Sequence, residues 1–158
     1  MSELLLVYTD GASGNKNGKP GGWGVVIVRN PEFEKDQAVA GTVIHQEFGG
    51  HPETSNNRME ITALGVGLVR ALAMKTPTER IVLVSDSQYA LGVCSGQMYA
   101  QANKDLIGRF KSRLGQEKVE FRWVKGHNGD RFNEMADELA GIGKENARIS
   151  KEAASKGG

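Results

Sequence analysis

The sequence predicts an α/β domain in which one mixed sheet of five strands is flanked by helices. Two observations carry this prediction. Five short segments have the apolar and β-branched composition of strands, and helical patterns separate the later ones. Strands that follow one another directly pair antiparallel through tight turns, whereas strands separated by a helix usually pair in parallel. A sheet that combines both kinds of pairing is therefore expected.

The first three strands lie in the N-terminal third of the chain. Residues 4–9 form an apolar run that ends at Asp10, and residues 23–28 form a second run that Asn30-Pro31 is expected to stop. Residues 39–48 alternate loosely and suggest a third strand, ended by the glycine- and proline-containing segment 49–52. Together they predict an antiparallel meander.

Helices and strands alternate in the remainder of the chain. Ile61, Leu64, Leu68 and Leu72 recur at helical spacing and mark a first long helix. The later segments follow in order: a strand at residues 81–84, helices at 87–93 and 104–114, a strand at 119–124 and a last helix at 132–142.

The length and the C-terminal composition predict one domain with a short extension. A chain of 158 residues is long enough for one substantial core, and it shows no repeat or linker. After Gly143 the sequence is rich in Lys, Glu, Ala and Ser. We therefore expect a domain over residues 1–143 and a flexible tail over residues 144–158.

The net charge indicates no particular binding partner, whereas the cysteine content and the N-terminal segment bear on the cellular compartment. The formal net charge is only +1, so nucleic-acid binding would have to come from local patches. Cys94 is the single cysteine, which suits a reducing compartment. The N-terminal apolar run is too short to span a bilayer and lacks a basic region before it. We expect a cytoplasmic monomer with no membrane attachment and no obligate protein partner.

Four carboxylates lie where a strand ends or within a helix, namely Asp10, Glu60, Asp86 and Asp137. Each also has an ordinary structural interpretation. Asp10 precedes a glycine and suits a turn. Glu60 follows Asn57 at the spacing of a helix capping box, and Asp86 suits a helix N-cap. Asp137 belongs to a helix with other acidic residues that is compatible with a solvated face.

The arrangement of these carboxylates favours a shared site. Asp10 and Asp86 end strands that would be neighbours, and the helices that carry Glu60 and Asp137 would pack on the same sheet. Like-charged carboxylates in one place cannot all stay ionised without compensation. Mg²⁺ prefers oxygen ligands, and a pair of such ions suits phosphodiester cleavage. Gathering of the four would therefore indicate a metal-dependent phosphodiesterase.

Other chemistry finds little support in the sequence. No Cys and His spacing matches a zinc site, and no serine has the context of a nucleophile elbow. The glycine-rich segment 14–20 lacks the spacing of a phosphate-binding P-loop. Trp23 and Trp123 lie in strand-like runs and are interpreted as core residues. His127 lies in a glycine-flanked loop, where it could transfer protons near neutral pH.

Six motifs occur in the order seen in type 1 ribonuclease H, and the chain resembles that family over residues 4–140. They are YTDGASGN, GGWGVVI, SNNRMEITAL, SDSQY, WVKGH and NEMADELA. The resemblance implies a ribonuclease H-like fold and endonucleolytic cleavage of the RNA strand of RNA–DNA hybrids, leaving 5′-phosphate and 3′-hydroxyl ends. It also implies two Mg²⁺ ions per site, with Mn²⁺ as an alternative.

The resemblance assigns roles residue by residue. Asp10 would bridge two ions, Asp137 would help hold the ion that activates water, and Glu60 and Asp86 would hold the ion beside the leaving group. His127 matches a loop histidine implicated in turnover. The implied substrate-binding residues, which read the RNA 2′-hydroxyl or contact backbone phosphates, are Ser13, Asn15, Ser55, Asn56, Asn57, Gln88 and Lys125.

Two departures from the family pattern bear on substrate binding. Residues 92–110 contain no tryptophan and lack the basic protrusion of many members, which predicts weaker hybrid binding. The connection over residues 30–54 is long for the family. Two rival hypotheses stay open: a related nuclease that cuts DNA, and a hybrid-binding module without activity.

Overall fold

The computed structural model describes residues 3–14 and 18–157. In these residues the chain forms five strands and four helices in the predicted order. The strands are β1 (Glu3–Ser13), β2 (Lys19–Glu34), β3 (Gln37–Thr54), β4 (Glu79–Ser85) and β5 (Val119–Trp123). The helices are α1 (Asn56–Met74), α2 (Gln88–Ser95), α3 (Lys104–Leu114) and α4 (Arg131–Gly157).

The five strands form one mixed sheet in the order β3-β2-β1-β4-β5. β1 pairs antiparallel with β2, and β2 pairs antiparallel with β3. β4 pairs parallel with both β1 and β5. The predicted mixed sheet is thus confirmed, and its central strand β1 runs beside β4 in the same direction.

Helices cover both faces of this sheet, which explains why its inner strands are continuously apolar. Leu5 and Val7 of β1 point to the face covered by α1, α2 and α3, where they join the larger apolar core. Leu6 and Tyr8 point to the opposite face, where they pack with Phe132 of α4. Cys94 is buried in the larger core, and this burial raises the pKa of its thiol to about 12.

A partly buried ion pair ties β2 to β4 at the end of the sheet opposite to Asp10. The guanidinium of Arg29 donates to both carboxylate oxygens of Glu79 at 2.8 and 2.9 Å. Glu79 also accepts from the backbone N of Thr76, and Arg29 also donates to the carbonyl oxygen of Met74. These bonds compensate the burial of Glu79, whose side chain is 2% exposed, and they lower its pKa.

The helix α4 continues to Gly157. The prediction of a flexible tail after residue 143 is therefore wrong for residues 144–157. Small residues recur at helical spacing along its buried face, namely Ala136, Ala140, Gly143 and Ala147. Added Cβ atoms on Gly22 or Gly24 would overlap the α4 backbone, so the helix lies directly against β2. The side chain of Lys151 donates to the carbonyl oxygen of Gly18 at 3.0 Å. The helix therefore packs on the sheet through Ala147 and contacts the chain before β2 through Lys151.

The hairpin formed by β2 and β3 extends beyond both predicted breaks. β2 passes through Asn30-Pro31, where the pairing register shifts and Asn30 adopts a φ of 52°. Proline lacks an N–H and is tolerated where a ladder is irregular, so it interrupts the strand without ending it. β3 likewise runs through residues 49–52. The long connection seen in the sequence is this hairpin.

No helix within the described residues is long and apolar enough to cross a membrane.

Candidate metal centre and substrate groove

Three of the four predicted carboxylates meet at one edge of the sheet. Asp10, Glu60 and Asp86 each offer an oxygen, and these oxygens all lie within 4.8 Å of one another. Asp10 lies within β1, paired with Gly24, and Asp86 directly follows β4, the parallel neighbour of β1. Asp10 and Glu60 are 3% exposed, whereas Asp86 is half-buried.

Close packing of α1 on β1 brings Glu60 to this edge. A Cβ on Gly11 would lie 2.5 Å from the backbone N of Glu60, so only glycine permits this approach. The N-cap of α1 is Ser55, whose hydroxyl accepts from the backbone N of Arg58 at 3.2 Å. The capping box between Asn57 and Glu60 is therefore absent, and the Glu60 carboxylate faces the cluster instead.

Asp86 is likewise free of a capping role. The N-cap of α2 is Ser87, whose hydroxyl accepts from the backbone N of Ala90. A Cβ on Gly126 would lie 2.7 Å from Oδ2 of Asp86, so the loop after β5 closes tightly over this carboxylate. The indole N–H of Trp123 donates to the carbonyl oxygen of Asp86 at 3.1 Å. Trp123 is 48% exposed, and its interpretation as a core residue is wrong.

Asp137 lies beside the three converged carboxylates. It is half-buried on α4, and its proximity contributes, after burial and the charges of Glu60 and Asp86, to the raised pKa of Asp10. Its charge also contributes to the raised pKa of Asp86. Asn133, one turn earlier on the same helix, is 3% exposed, and its Oδ1 has no partner among the described residues. The fourth acid thus borders the cluster from α4.

Burial and mutual repulsion disfavour ionisation of the whole cluster. Burial, and then the charges of Glu60 and Asp86, raise the pKa of Asp10 to about 10. Burial and the charge of Asp86 raise the pKa of Glu60 to about 8. Burial also raises the pKa of Asp86. Such a site gains stability from any cation that keeps its carboxylates ionised.

The donor set fits a hard divalent cation. All the converging ligand atoms are carboxylate oxygens, which Mg²⁺ and Mn²⁺ prefer over softer ligands. Oε2 of Glu60 is buried without a hydrogen-bond partner among the described residues. A buried carboxylate oxygen without a partner is costly, and coordination would satisfy it.

His127 lies in the loop that joins β5 to α4. It is exposed and adopts a φ of 54°. Burial raises the pKa of Asp86, and the nearby His127 opposes this rise as a minor cause. In the structure His127 therefore lies near Asp86, on the side of the cluster that is open to solvent.

A polar groove of about 810 Å³ lies where the β1–β2 connection meets the start of α1. It is lined by Ser13, Ser55, Asn56 and Asn57, four of the predicted substrate-binding residues. No hydrogen bond to another described residue engages the side-chain amides of Asn56 or Asn57. Asn15 lies outside the described residues.

The other predicted substrate-binding residues lie away from this groove. Gln88 begins α2 and lines a separate cleft with Trp123, and Lys125 is exposed in the loop that carries His127.

Gly11 and Gly126 permit the close approaches that shape the carboxylate cluster, and the sequence analysis assigned them no role. The available signal in the sequence was the position of Gly11 beside Asp10 and of Gly126 within WVKGH. Glycine at such positions is ordinarily interpreted as a turn residue.

A family profile described as RNase H matches residues 2–145. The chain belongs to the ribonuclease H family. Proteins curated as ribonuclease H include one from Polaromonas sp., which is 37% identical and aligns over 90% of this chain and 89% of its own. Another, from Pseudomonas putida strain W619, is 34% identical over 96% of this chain and 100% of its own. The sequence-based identification of the family is thus confirmed, and the chain is an enzyme of the ribonuclease H class.

Solved structures of the family share the fold. The N-terminal RNase H domain of a Mycobacterium tuberculosis protein superposes with a TM-score of 0.72 at 21% identity, over 94% of this chain and 99% of that one. LC9-RNase H1, described as a type 1 RNase H with the type 2 active-site motif, gives 0.71 at 26% identity, over 93% and 74%. LC11-RNase H1, solved in complex with an RNA/DNA hybrid, gives 0.65 at 24% identity, over 90% and 98%.

Proposed function

We propose that this ribonuclease H hydrolyses the RNA strand of RNA–DNA hybrids as an endonuclease and leaves 5′-phosphate and 3′-hydroxyl ends. The observation that carries the proposal is the convergence of Asp10, Glu60 and Asp86 within 4.8 Å at the sheet edge. The polar groove beside α1 supports it, as does the hybrid bound to the related LC11-RNase H1.

Asp10, Glu60, Asp86 and Asp137 are the proposed metal ligands, for two Mg²⁺ ions with Mn²⁺ as an alternative. Two such ions would supply Lewis-acid activation of water and would neutralise the charge that develops on the leaving 3′-oxygen. Asp10, whose carboxylate lies within 4.8 Å of those of Glu60 and Asp86, would help to hold both ions. Asp137 would act on the water side, and Glu60 and Asp86 on the leaving-group side.

Other side chains have proposed roles in turnover and recognition. His127 is exposed beside the carboxylates, and its imidazole would take up or release protons as products leave. Ser13, Asn15, Asn56, Asn57 and Gln88 would read RNA 2′-hydroxyls, because amide and hydroxyl groups donate and accept without charge. Ser55 would contact a DNA phosphate, and Lys125 would contact the backbone.

Cleavage of defined substrates tests the proposal. The protein is incubated with labelled RNA–DNA hybrid, duplex DNA and duplex RNA, each with Mg²⁺, with Mn²⁺ and with chelator. We expect cleavage of the RNA strand of the hybrid alone, with either metal and not with chelator. Asp10→Asn should remove this activity while leaving the fold intact, and end-group analysis should show 5′-phosphates.

Two outcomes would replace this proposal. Cleavage of duplex DNA would favour a DNA-cutting nuclease, and metal-independent hybrid binding without cleavage would favour a binding module.

The lack of a tryptophan-rich basic protrusion still predicts weaker hybrid binding than in members that have one. A cytoplasmic location, a monomeric state, a catalytic domain within residues 1–143 and the lack of an obligate protein partner stay predictions from the sequence.

A further inference from the structure

The tip of the β2–β3 hairpin reaches the loop that carries His127. The side-chain amide of Gln37, the first residue of β3, donates to the carbonyl oxygen of Gly129 at 3.1 Å. The next residue, Ala38, is 1% exposed in the apolar cluster that also contains Phe132, and Val124 packs against the same cluster. The hairpin is therefore anchored at Ala38, directly beside its contact with the loop.

The loop itself, residues 124–130, is fixed mainly at its ends. At its start the backbone N of Val124 donates to the carbonyl oxygen of Ser85 at 3.0 Å. At its end the carboxylate of Asp130 accepts from the backbone N of Phe132 and of Asn133, both at 3.1 Å. Among the described residues, the bond from Gln37 is the one side-chain hydrogen bond to the interior, residues 125–129.

This interior has an unusual backbone. His127 has a φ of 54° and Gly129 a φ of 79°, and a left-handed conformation is uncommon for a residue other than glycine. Such a conformation persists where its surroundings hold it. The Gln37 bond acts at Gly129, two residues from His127, and Gly126 packs against Asp86 on the other side. His127 is thus held between two contacts.

We infer that Gln37 is a positioning residue, which fixes the loop so that the His127 imidazole stays beside the carboxylate cluster. This inference rests on the proposed role of His127 in turnover. Because Gln37 and Ala38 lie at the tip of the β2–β3 hairpin, this long hairpin supports the loop of residues 124–130. Gln37 itself touches neither the carboxylates nor the substrate groove in this structure.

Steady-state cleavage of an RNA–DNA hybrid tests the inference in five variants of the full chain, one of which is the single variant His127→Ala. Gln37→Ala removes the donor, and Gln37→Arg keeps an N–H donor of sufficient reach. Gln46→Ala makes the same chemical change at an exposed position of β3 that contacts no loop residue through a hydrogen bond. The double variant Gln37→Ala with His127→Ala measures the coupling between the two residues.

We expect Gln37→Ala to lower kcat about two- to tenfold, the range of one hydrogen bond, with KM unchanged. Gln37→Arg should restore most of the rate, and Gln46→Ala should match the parent protein. In the His127→Ala background, Gln37→Ala should cause no further loss. Additive losses, or a kcat that Gln37→Ala leaves unchanged while His127→Ala lowers it, would overturn the inference.

NMR relaxation of the backbone amides provides a readout that does not depend on activity. Order parameters at residues 126–129 should be lower in Gln37→Ala than in the parent protein, while those of the strands stay unchanged. Unchanged order parameters in this loop would refute the positioning role whatever the kinetics show. If His127→Ala leaves cleavage intact, the role proposed for His127 fails instead, and lower order parameters would still show that Gln37 fixes the loop.

Discussion

Replacement of Asp10 by Asn should stabilise the metal-free protein. The Asp10 side chain is 3% exposed, and its pKa is raised from 3.8 to about 10 by burial and by Glu60 and Asp86. At pH 7 the unfolded chain has lost this proton whereas the folded chain retains it. The roughly three pH units between 3.8 and 7, each worth about 1.4 kcal/mol, set an upper limit of about 4 kcal/mol on the cost.

The sign of the pH dependence follows from the same shift. A carboxyl group whose pKa is raised on folding contributes its full stability below the unfolded pKa. That stability is lost as the pH rises towards the folded pKa. Parent protein in chelator should therefore lose stability between pH 5 and pH 8. Asp10→Asn should lose much less, and the gap between the two should reach about 2–4 kcal/mol at pH 7.

Urea denaturation in chelator at pH 5, 6, 7 and 8 measures this gap. Asp36→Asn is a matched control, because Asp36 is exposed at the hairpin tip and the change should alter stability by less than about 0.5 kcal/mol. Saturating Mg²⁺ should narrow the gap, since the proposed ions would bind the folded parent protein and stabilise it. An Asp10→Asn protein that is less stable in chelator at pH 7, or a gap that does not grow with pH, would refute this account of the cluster.

Three further predictions concern the fold and are measured by urea denaturation. Glu79→Gln should lower the free energy of unfolding by about 2–4 kcal/mol at pH 7, because it leaves the Arg29 guanidinium without its buried partner. The pKa of Glu79 is lowered in the folded protein, so the parent protein should lose this extra stability as acid protonates Glu79. A difference between the two proteins that persists in acid would contradict the ion-pair explanation. Gly24→Ala should lower the free energy of unfolding by about 1–3 kcal/mol, because the added Cβ would overlap the α4 backbone. In the control Gly65→Ala, the added Cβ in α1 meets nothing within 4 Å, so this change should be neutral or stabilising by up to about 1 kcal/mol. Truncation after Gly143 should cost at least about 1 kcal/mol, because it removes the buried Ala147, and unchanged stability would show that the last turns of α4 are dispensable.

Much of the fold could be predicted because it depends on strong periodic signals. The β1 and β4 runs are continuously apolar, and the helix stripe from Ile61 to Leu72 has one face to bury. The order of these elements leaves few topologies for a mixed sheet. The meeting of Asp10 and Asp86 then follows from the parallel pairing of neighbouring strands, which sets both residues at the same edge.

The features that escaped prediction are those that depend on tertiary packing. Ser55 and Asn57 are both good cap residues, and the close approach of α1 at Gly11, which the sequence does not show, turns Glu60 towards β1. Pro31 would ordinarily break a strand, yet the irregular pairing of the hairpin accommodates it. The end of α4 has a polar composition, and only its contact with β2 and β3 reveals that Gly143 and Ala147 are buried.

The burial of Cys94 has a practical consequence for experiments on this enzyme. Thiol reagents attack the thiolate, and a side chain that is 1% exposed with a pKa of about 12 offers almost none at pH 8. A cysteine introduced at an exposed position, such as Tyr99 in the connection between α2 and α3, should therefore react alone in the folded protein. Fluorescent or spin labels can thus be used to test the proposed hybrid binding without removal of the native cysteine.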